Sequence, residues 1–388
     1  MSTARKINIF GLSLKGMEEL MVAHGEKPFR GRQLFQWIYQ KEATDFAKMS
    51  SFNKPLRDQL DAKHDIRLPL VVRKQRDPDD GTAKFLVKLT DGAMVEMVLI
   101  PVRDRLALCM SSQVGCTIGC KFCATGLVGF KRNLSAGEMI GQFMLAKNLT
   151  GEKELANVVM MGMGEPLLNM DAVIQAITTI SSEQGLGFSA RKFTISTVGL
   201  VKEIRKLTEM RLKSGLALSL HAPIQSLRER LIPSAKDNPL DQLIPACREY
   251  ALQSGDRITL EYILIAGITD TMECAKELAM LTRRIPCKIN LIPYNPIVDA
   301  KGIPLAPIKE VAKGRVAALR GSTARSSARL KPFSPYDFRT PSQDAIDRFR
   351  EYLYPRCPAV TLRIPKGRRI AAACGQLVAQ VERLEKSA

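Results

Sequence analysis

The stretch LALCMSSQVGCTIGCKFCATG, residues 106–126, sets the frame for the whole chain. It opens as a short apolar run of strand type and passes through two serines into a loop punctuated by Gly115, Gly119 and Gly126. That loop carries Cys116, Cys120 and Cys123, three thiols at the spacing C-x3-C-x2-C, and Cys109 ends the run just before it. A strand running into a loop dense in reactive side chains is the pattern of a site built at the carboxyl end of a parallel strand.

The pattern recurs downstream. Runs of strand type end at NVVMMGMG (157–164), KFTISTVG (192–199), LALSLHAP (216–223), ITLEYILIAG (258–267) and KINLIPYNP (288–296), with helical segments such as SAGEMIGQFMLAKNL (135–149) and MDAVIQAITTISSEQ (170–184) between them. Six such units predict an α/β fold with a parallel sheet, open or partly closed into a barrel. Gly164, Glu165, Ser196, Ser219, Leu220, His221 and Asn295 all fall at strand ends, where such folds place their sites.

Upstream the chain reads differently. Residues 15–48 look helical, and GEKPFRGRQLFQWIYQK (25–41) predicts a turn followed by an amphipathic helix with Phe35, Trp37 and Ile38 toward a core. KFLVKL (84–89), the turn TDG and AMVEMVLI (93–100) predict a β-hairpin. The expected organisation is a helical accessory domain over 1–75, a hairpin linker over 76–103, the alternating domain over 104–296, a basic insertion over 297–340 and a C-terminal segment over 341–388.

Composition narrows the function classes. At 388 residues, 45% apolar and 25% charged, the chain can bury a large core. It has neither a signal-peptide pattern nor an apolar run long enough to span a bilayer, so a cytoplasmic protein is expected. Nine cysteines, an odd number, favour metal or redox chemistry over a disulfide framework. The net charge is +19, and residues 301–370 hold sixteen Lys and Arg against five Asp and Glu. Such an excess points to a polyanionic partner, nucleic acid first. Within it, Lys313, Arg315, Arg320, Arg325, Arg329 and Lys331 form a run with no acid, suited to contacts with an RNA backbone.

A closed zinc site takes four protein ligands, so zinc would need Cys109 or a remote cysteine as its fourth. A [4Fe-4S] cluster held by three thiolates instead leaves one iron open to a small molecule. If that molecule is S-adenosyl-L-methionine (SAM), an electron from the cluster can cleave its sulfonium to an adenosyl radical. The cysteine spacing after the first strand, with GMGEP (162–166) at the end of the next, resembles the signature of the radical-SAM superfamily.

The resemblance sharpens at VEMVLIP (95–101), LCMSSQVGCTIGCKFCATG (108–126), MMGMGEPLLN (160–169), SLHAP (219–223), CKINLIPYNP (287–296) and AAACGQL (371–377). Together these look like the adenine C2 RNA methyltransferases of the RlmN type, relatives of the Cfr type that methylate adenine C8. The resemblance implies a partial (β/α)6 radical-SAM barrel, with Cys116, Cys120 and Cys123 as cluster ligands and Gly164, Glu165, Ser196, Ser219, Leu220, His221 and Asn295 as SAM contacts. It implies methylation of an adenine of 23S rRNA and of the adenine beside the tRNA anticodon, by a monomer supplied with electrons by flavodoxin or ferredoxin.

Adenine C2 has no lone pair with which to attack a sulfonium methyl, so a radical route is required. The resemblance implies that Cys374 is first methylated by one SAM, and that hydrogen abstraction by a radical from a second lets the resulting methylene add to C2. Cys109 would then form a disulfide with Cys374 as the product leaves, with Glu96 assisting proton transfer. Without the resemblance, Glu96 reads as a polar position in an exposed hairpin. Cys247, Cys274, Cys287 and Cys357 read as buried, inert thiols. Methylation of adenine C8 in rRNA, as in the Cfr type, is the alternative among enzymes, and a zinc-stapled RNA-binding module the alternative outside them.

Overall fold

The structure, a computed structural model, describes residues 6–151, 154–297, 333–334 and 337–378. The acid-free basic run from Lys313 to Lys331 lies outside the described residues.

Strands β1 (Ile7–Asn8) and β2 (His64–Asp65) pair in parallel beside the helices α1 (Leu14–Ala23), α2 (Pro28–Tyr39) and α3 (Lys54–Lys63). Ser13 and Asn53 cap α1 and α3 by accepting from Gly16 N and Leu56 N. Leu34, Phe35, Ile38 and Tyr39 are buried on α2, and Gly31 allows close packing on α1, since a Cβ there would meet Glu18 Cα at 2.3 Å. Trp37 was expected inward but stands half-buried at the rim, its indole N–H donating to Ser51 Oγ at 2.8 Å with Lys41 over the ring at 3.7 Å. Residues two apart on a helix do not share a face, so Phe35 and Trp37 cannot both point inward.

An antiparallel arm follows, made of β3 (Leu70–Arg76), β4 (Ala83–Lys88) and β5 (Met94–Val102). The predicted hairpin is β4–β5. β3 is a third strand within the stretch assigned to the helical unit; as a largely exposed edge strand, LVVRKQR carries no clear alternation to announce it. β5 then pairs antiparallel with β6 (Arg105–Cys109), Val98 opposite Cys109, so the arm is continuous with the main sheet.

Beyond β6 the cysteine loop is framed by a small antiparallel pair, β7 (Gln113–Gly115) and β8 (Phe130–Asn133), with α4 (Ala124–Val128) between them. The chain then alternates through α5 (Ala136–Leu149), β9 (Leu155–Met160), α6 (Met170–Ser181), β10 (Phe193–Thr197), α7 (Val201–Glu209), β11 (Gly215–Ser219), α8 (Gln225–Leu231), α9 (Leu240–Ser254), β12 (Ile258–Leu264), α10 (Met272–Thr282), β13 (Cys287–Pro293), α11 (Gln343–Leu353) and β14 (Val360–Leu362). The ten-stranded sheet has the order β14-β13-β12-β11-β10-β9-β6-β5-β4-β3, and every pair from β6 to β14 is parallel.

The six expected parallel strands are thus consecutive neighbours, and β14 adds a seventh that three residues were too short to reveal. β12 is buried along almost its whole length, while β13 begins with alternation, Lys288 exposed and Asn290 half-buried between Cys287, Ile289 and Leu291. The flanking helices show the complementary pattern: on α7, Val201, Ile204 and Leu207 are buried. Among the described residues no helix is long and apolar enough to cross a membrane. With these strands parallel, the loops after β6 and β9–β13 gather at one edge of the sheet.

Candidate active site

The serines and glutamine of the opening stretch wire these loops together. Ser111, fully buried, donates through Oγ to Glu96 O at 2.6 Å and accepts from Met163 N at 2.8 Å. Gln113 Oε1 accepts from Glu165 N at 2.9 Å, and Gln142 on α5 bonds both backbone groups of Ser111. Gly164, at φ +105°, lies so close over Gln113 that a Cβ would approach its Cβ to 2.6 Å. The hydrophilic SSQ thus joins the cysteine loop to the glycine–acid loop, a role that periodicity could not reveal.

One cavity is lined by Cys116, Cys120 and Cys123 on one wall and by Gly164, Glu165, Ser196, Ser219 and His221 on the other, with Cys374 at its edge. The neck of the cysteine loop is closed by Cys116 N donating to Gly129 O at 3.0 Å; a Cβ on Gly115 would overlap that oxygen at 1.8 Å. Glu165 is buried, its two oxygens accepting from Leu167 N at 3.2 Å and Val198 N at 2.9 Å. Burial raises its carboxyl to about 7, against the pull of Val198 N, the Thr197 hydroxyl and Leu167 N. Ser196 and Ser219 stand with their hydroxyls 3.5 Å apart.

His221 is held at φ +56° with Nδ1 accepting from Ile263 N at 3.2 Å, so Nε2 carries the ring hydrogen. Burial, with Arg228 nearby, lowers its pKa to about 3, so the ring is a neutral wall against the edge of Phe122. Arg228, not foreseen from the sequence, is fully buried behind this wall. It donates to Leu220 O at 3.2 Å and to Val198 O, tying the loops after β10 and β11 together.

Two expected SAM contacts sit differently. The Leu220 side chain is packed in the core, leaving its backbone as the part that frames the site. Asn295 lines a second, neighbouring chamber and accepts from Arg368 Nε at 3.1 Å. That chamber also holds Cys109, Arg363 and Cys374, so Cys374 borders both chambers. Burial pushes the Cys109 thiol up to about 12, with Cys374 adding to the rise and Arg363 opposing it. The negative charge that Cys374, Glu261 and Cys109 can carry raises the Arg363 guanidinium in turn. All nine cysteines are free thiols.

Glu96 is not on an exposed hairpin, as its sequence alone suggested. It is 4% exposed, because residues 371–378 fold over the arm: its oxygens meet Lys84 Nζ at 3.1 Å and Val378 N at 2.8 Å. Burial still raises its carboxyl, with Lys84 the main opposition. Of the four remaining cysteines, Cys247, Cys274 and Cys287 are buried, while Cys357 is half-buried and accepts from the Thr282 hydroxyl.

The residues fit the cofactors that the cysteine pattern implies. Burial, with mutual thiolate repulsion, pushes the three loop thiols up, Cys116 to about 12, so they need a metal's positive charge to ionise. Glu165 is a buried carboxylate with only neutral donors around it, a fit for an ammonium group. Among the described residues no group of three or more His, Cys, Asp or Glu is arranged around a single metal ion.

Comparison with known proteins agrees with this geometry. Residues 7–66 match the ribosomal RNA large subunit methyltransferase N-terminal domain and residues 110–279 the radical SAM superfamily. The chain is 39% identical to a dual-specificity RNA methyltransferase RlmN of Solidesulfovibrio magneticus, covering 97% of both chains. It is 41% identical to one of Pseudomonas entomophila, over 97% of this chain and 91% of the relative. A crystal structure of a radical SAM methyltransferase from Sphaerobacter thermophilus superposes with a TM-score of 0.81 at 38% identity, covering 96% of this chain and all of that one. Likeness sustained at this level from the accessory helices to the Cys374 loop means that the chain belongs to the RlmN family of dual-specificity RNA methyltransferases, within the radical SAM superfamily.

Proposed function

We propose that this enzyme methylates C2 of an adenine in RNA, in 23S rRNA and in tRNA beside the anticodon, with Cys374 as the methyl carrier. The observation that carries the reading is the position of Cys374 between a chamber of three thiols and Glu165 and a chamber holding Cys109 and Arg363. A carrier must face a methyl donor on one side and a partner for release on the other.

A [4Fe-4S] cluster and SAM, when bound, supply the methyl group and the one-electron chemistry that C2 demands. Cys116, Cys120 and Cys123 would hold the cluster, leaving one iron position for SAM. Glu165 would accept hydrogen bonds from the SAM amino group, with the Ser196 and Ser219 hydroxyls beside it. The Leu220 and His221 backbone frames the pocket, and neutral His221 adds no charge against a sulfonium. Asn295 lines the Cys109 chamber, which shares Met161, Ile292, Cys374 and Gly375 with the first, and would contact SAM from there.

Cys374 would act as nucleophile toward a methyl carbon, and its sulfur would tether the base. Cys109 would take that sulfur as a disulfide, releasing the methylated base. Arg363 brings a positive charge within electrostatic reach of both sulfurs. Glu96 lines a third hollow with Lys84, Ala371 and Val378, beside the Cys374 loop, and would assist proton transfer from there.

The basic charge of residues 301–370 supports RNA as the partner, with the accessory helices and the 297–340 segment contributing to the grip. A low-potential donor such as flavodoxin or ferredoxin would supply the electrons, and the enzyme would work as a cytoplasmic monomer. The test is nucleoside mass spectrometry of 23S rRNA and tRNA fragments incubated with reconstituted enzyme and SAM. 2-Methyladenosine is expected, whereas 8-methyladenosine or unmodified RNA would overturn the reading.

A further inference from the structure

Cys374 has no strand or helix to hold it. Between β14 and the end of the described residues the chain forms only one short 3-10 turn, Arg368–Ile370. Its path also carries a strained residue: Ala371, which is not a glycine, sits at φ +49°. A left-handed non-glycine residue is strained and persists only where its surroundings enforce it. The placement of Cys374 must therefore come from tertiary bonds.

After Cys374, Ala124 N donates to Gly375 O at 2.7 Å, the Thr125 hydroxyl to Leu377 O at 2.7 Å, Gln376 Nε2 to Pro296 O at 2.8 Å and Val378 N to Glu96 Oε2 on the arm at 2.8 Å. Before Cys374, the bonds come from the antiparallel arm. The turn between β3 and β4 reads DPDDGT, residues 77–82. Asp80 Oδ1 accepts from Thr82 N at 2.8 Å, within the turn, while Oδ2 accepts from Gly367 N at 2.7 Å. Asp77 repeats the arrangement, with Oδ1 accepting from Asp79 N at 3.0 Å and Oδ2 from Arg369 N at 3.1 Å.

Each carboxylate thus uses one oxygen to shape its own turn and the other to hold the approach to Cys374. Asp77 is buried, and so is Lys84 on β4, whose Nζ donates to Ala371 O at 3.2 Å. Asp79 also pairs with the Arg369 guanidinium at 2.9 Å, but both side chains are well exposed and this pair adds little. The turn would be complete with one acceptor per aspartate; the second oxygen on each is what reaches across.

We propose that the Asp77–Thr82 turn is a latch that sets Cys374 between the two chambers, with Asp77 and Asp80 as positioning residues for methyl transfer through Cys374. This rests on the reading of Cys374 as methyl carrier. A loop that must present one sulfur to two chambers needs an anchor outside both of them, and the arm supplies it from a part of the chain almost three hundred residues away.

The variants are Asp77→Asn and Asp80→Asn, singly and together. An amide retains one acceptor oxygen, which the local turn can keep, and loses the bond to the loop. Hydrogen exchange of full-length, metal-free protein reads the loop at residues 367–378 and the arm at 83–102, and the alkylation rate of Cys374 by iodoacetamide is measured by peptide mass spectrometry. The double variant is expected to exchange at least tenfold faster over 367–378 with the arm unchanged, and to alkylate severalfold faster at Cys374. Reconstituted with cluster, it should carry less methyl on Cys374 while its SAM affinity stays within twofold of wild type.

Exchange and alkylation at wild-type rates, or equal loosening of loop and arm, would overturn the latch. So would loss of SAM affinity in step with methylation, which would mean that the turn supports the pocket and not the cysteine. If loaded wild-type protein carries no methyl on Cys374, the carrier reading fails, while the exchange result still decides whether the turn holds the loop.

Discussion

Replacing Glu165 with Gln should make the unloaded protein more stable at alkaline pH and weaken its grip on SAM. The carboxylate is buried with only neutral donors, and its pKa stands at about 7 against an ordinary 4.5. A carboxyl raised in the folded state contributes its full stability below pH 4.5 and loses it as pH rises through 7. The gap from 4.5 to about 7, at about 1.4 kcal/mol per pH unit, amounts to ~3 kcal/mol lost by pH 8. An amide escapes that loss but gives up the bond from either Val198 N or Leu167 N, at a cost of about 1 kcal/mol. The variant should therefore be ~2 kcal/mol more stable than wild type at pH 8 and no more stable than wild type at pH 5. Urea unfolding of metal-free protein at both pH values measures this. The same change removes a charged partner for the SAM ammonium, so SAM affinity of loaded protein should fall about 10- to 100-fold by calorimetry. A variant less stable than wild type at pH 8, or a stability difference that is the same at both pH values, would refute the assignment of Glu165 as a buried anion awaiting a cation.

Lys84→Met leaves Glu96 buried without its cation and should cost about 3–5 kcal/mol in urea unfolding at pH 7, whereas a cost under about 1 kcal/mol would show that the pair contributes no net attraction. Arg228→Met removes the guanidinium that ties the loops after β10 and β11, and about 3 kcal/mol of stability with it; SAM affinity should fall as well, and calorimetry that finds both unchanged would contradict the tie. Cys109→Ala removes the release partner but not the carrier, so denaturing gels of enzyme incubated with RNA and SAM should show a covalent protein–RNA species; free, methylated RNA from this variant would exclude Cys109 from release. Cys120→Ala should lose the iron–sulfur absorption after reconstitution, and a variant with full iron content would move the cluster to other ligands.

The strands that build the site were legible because their sequences carry one message at every level. ITLEYIL is covered on nearly all sides and CKINLIP alternates buried Cys287, Ile289 and Leu291 with Lys288 and Asn290, so pattern and packing agree in both strands. The cysteine loop and Glu165 were legible for a different reason, since the chemistry of three thiols and a glycine–acid loop limits what they can bind. Trp37 was misplaced because a helix rotates by more than half a turn over two residues. β3 and β14 were missed because one is an exposed edge and the other only three residues long.

The burial of Glu96 could not be read from its hairpin, because the chain that covers it arrives from residues 371–378. Lys84, Asp77, Asp80, Arg228 and Arg363 share that difficulty. Each is an ordinary polar residue in its local sequence and acquires its role from partners eight to almost three hundred residues away. Asn295 follows a strand, as the pattern required, and lines the neighbouring chamber, which shares Cys374 with the one that holds the three loop thiols.

The most direct test of the central claim, that Cys374 carries the methyl group, is mass spectrometry of the tryptic peptide Ile370–Arg383. The protein should be produced with iron–sulfur assembly support and handled without oxygen. The account predicts a peptide heavier by one methyl group, located on Cys374, that loses the label when RNA substrate and reductant are added. An unmodified Cys374 in protein fully loaded with cluster and supplied with SAM would contradict it.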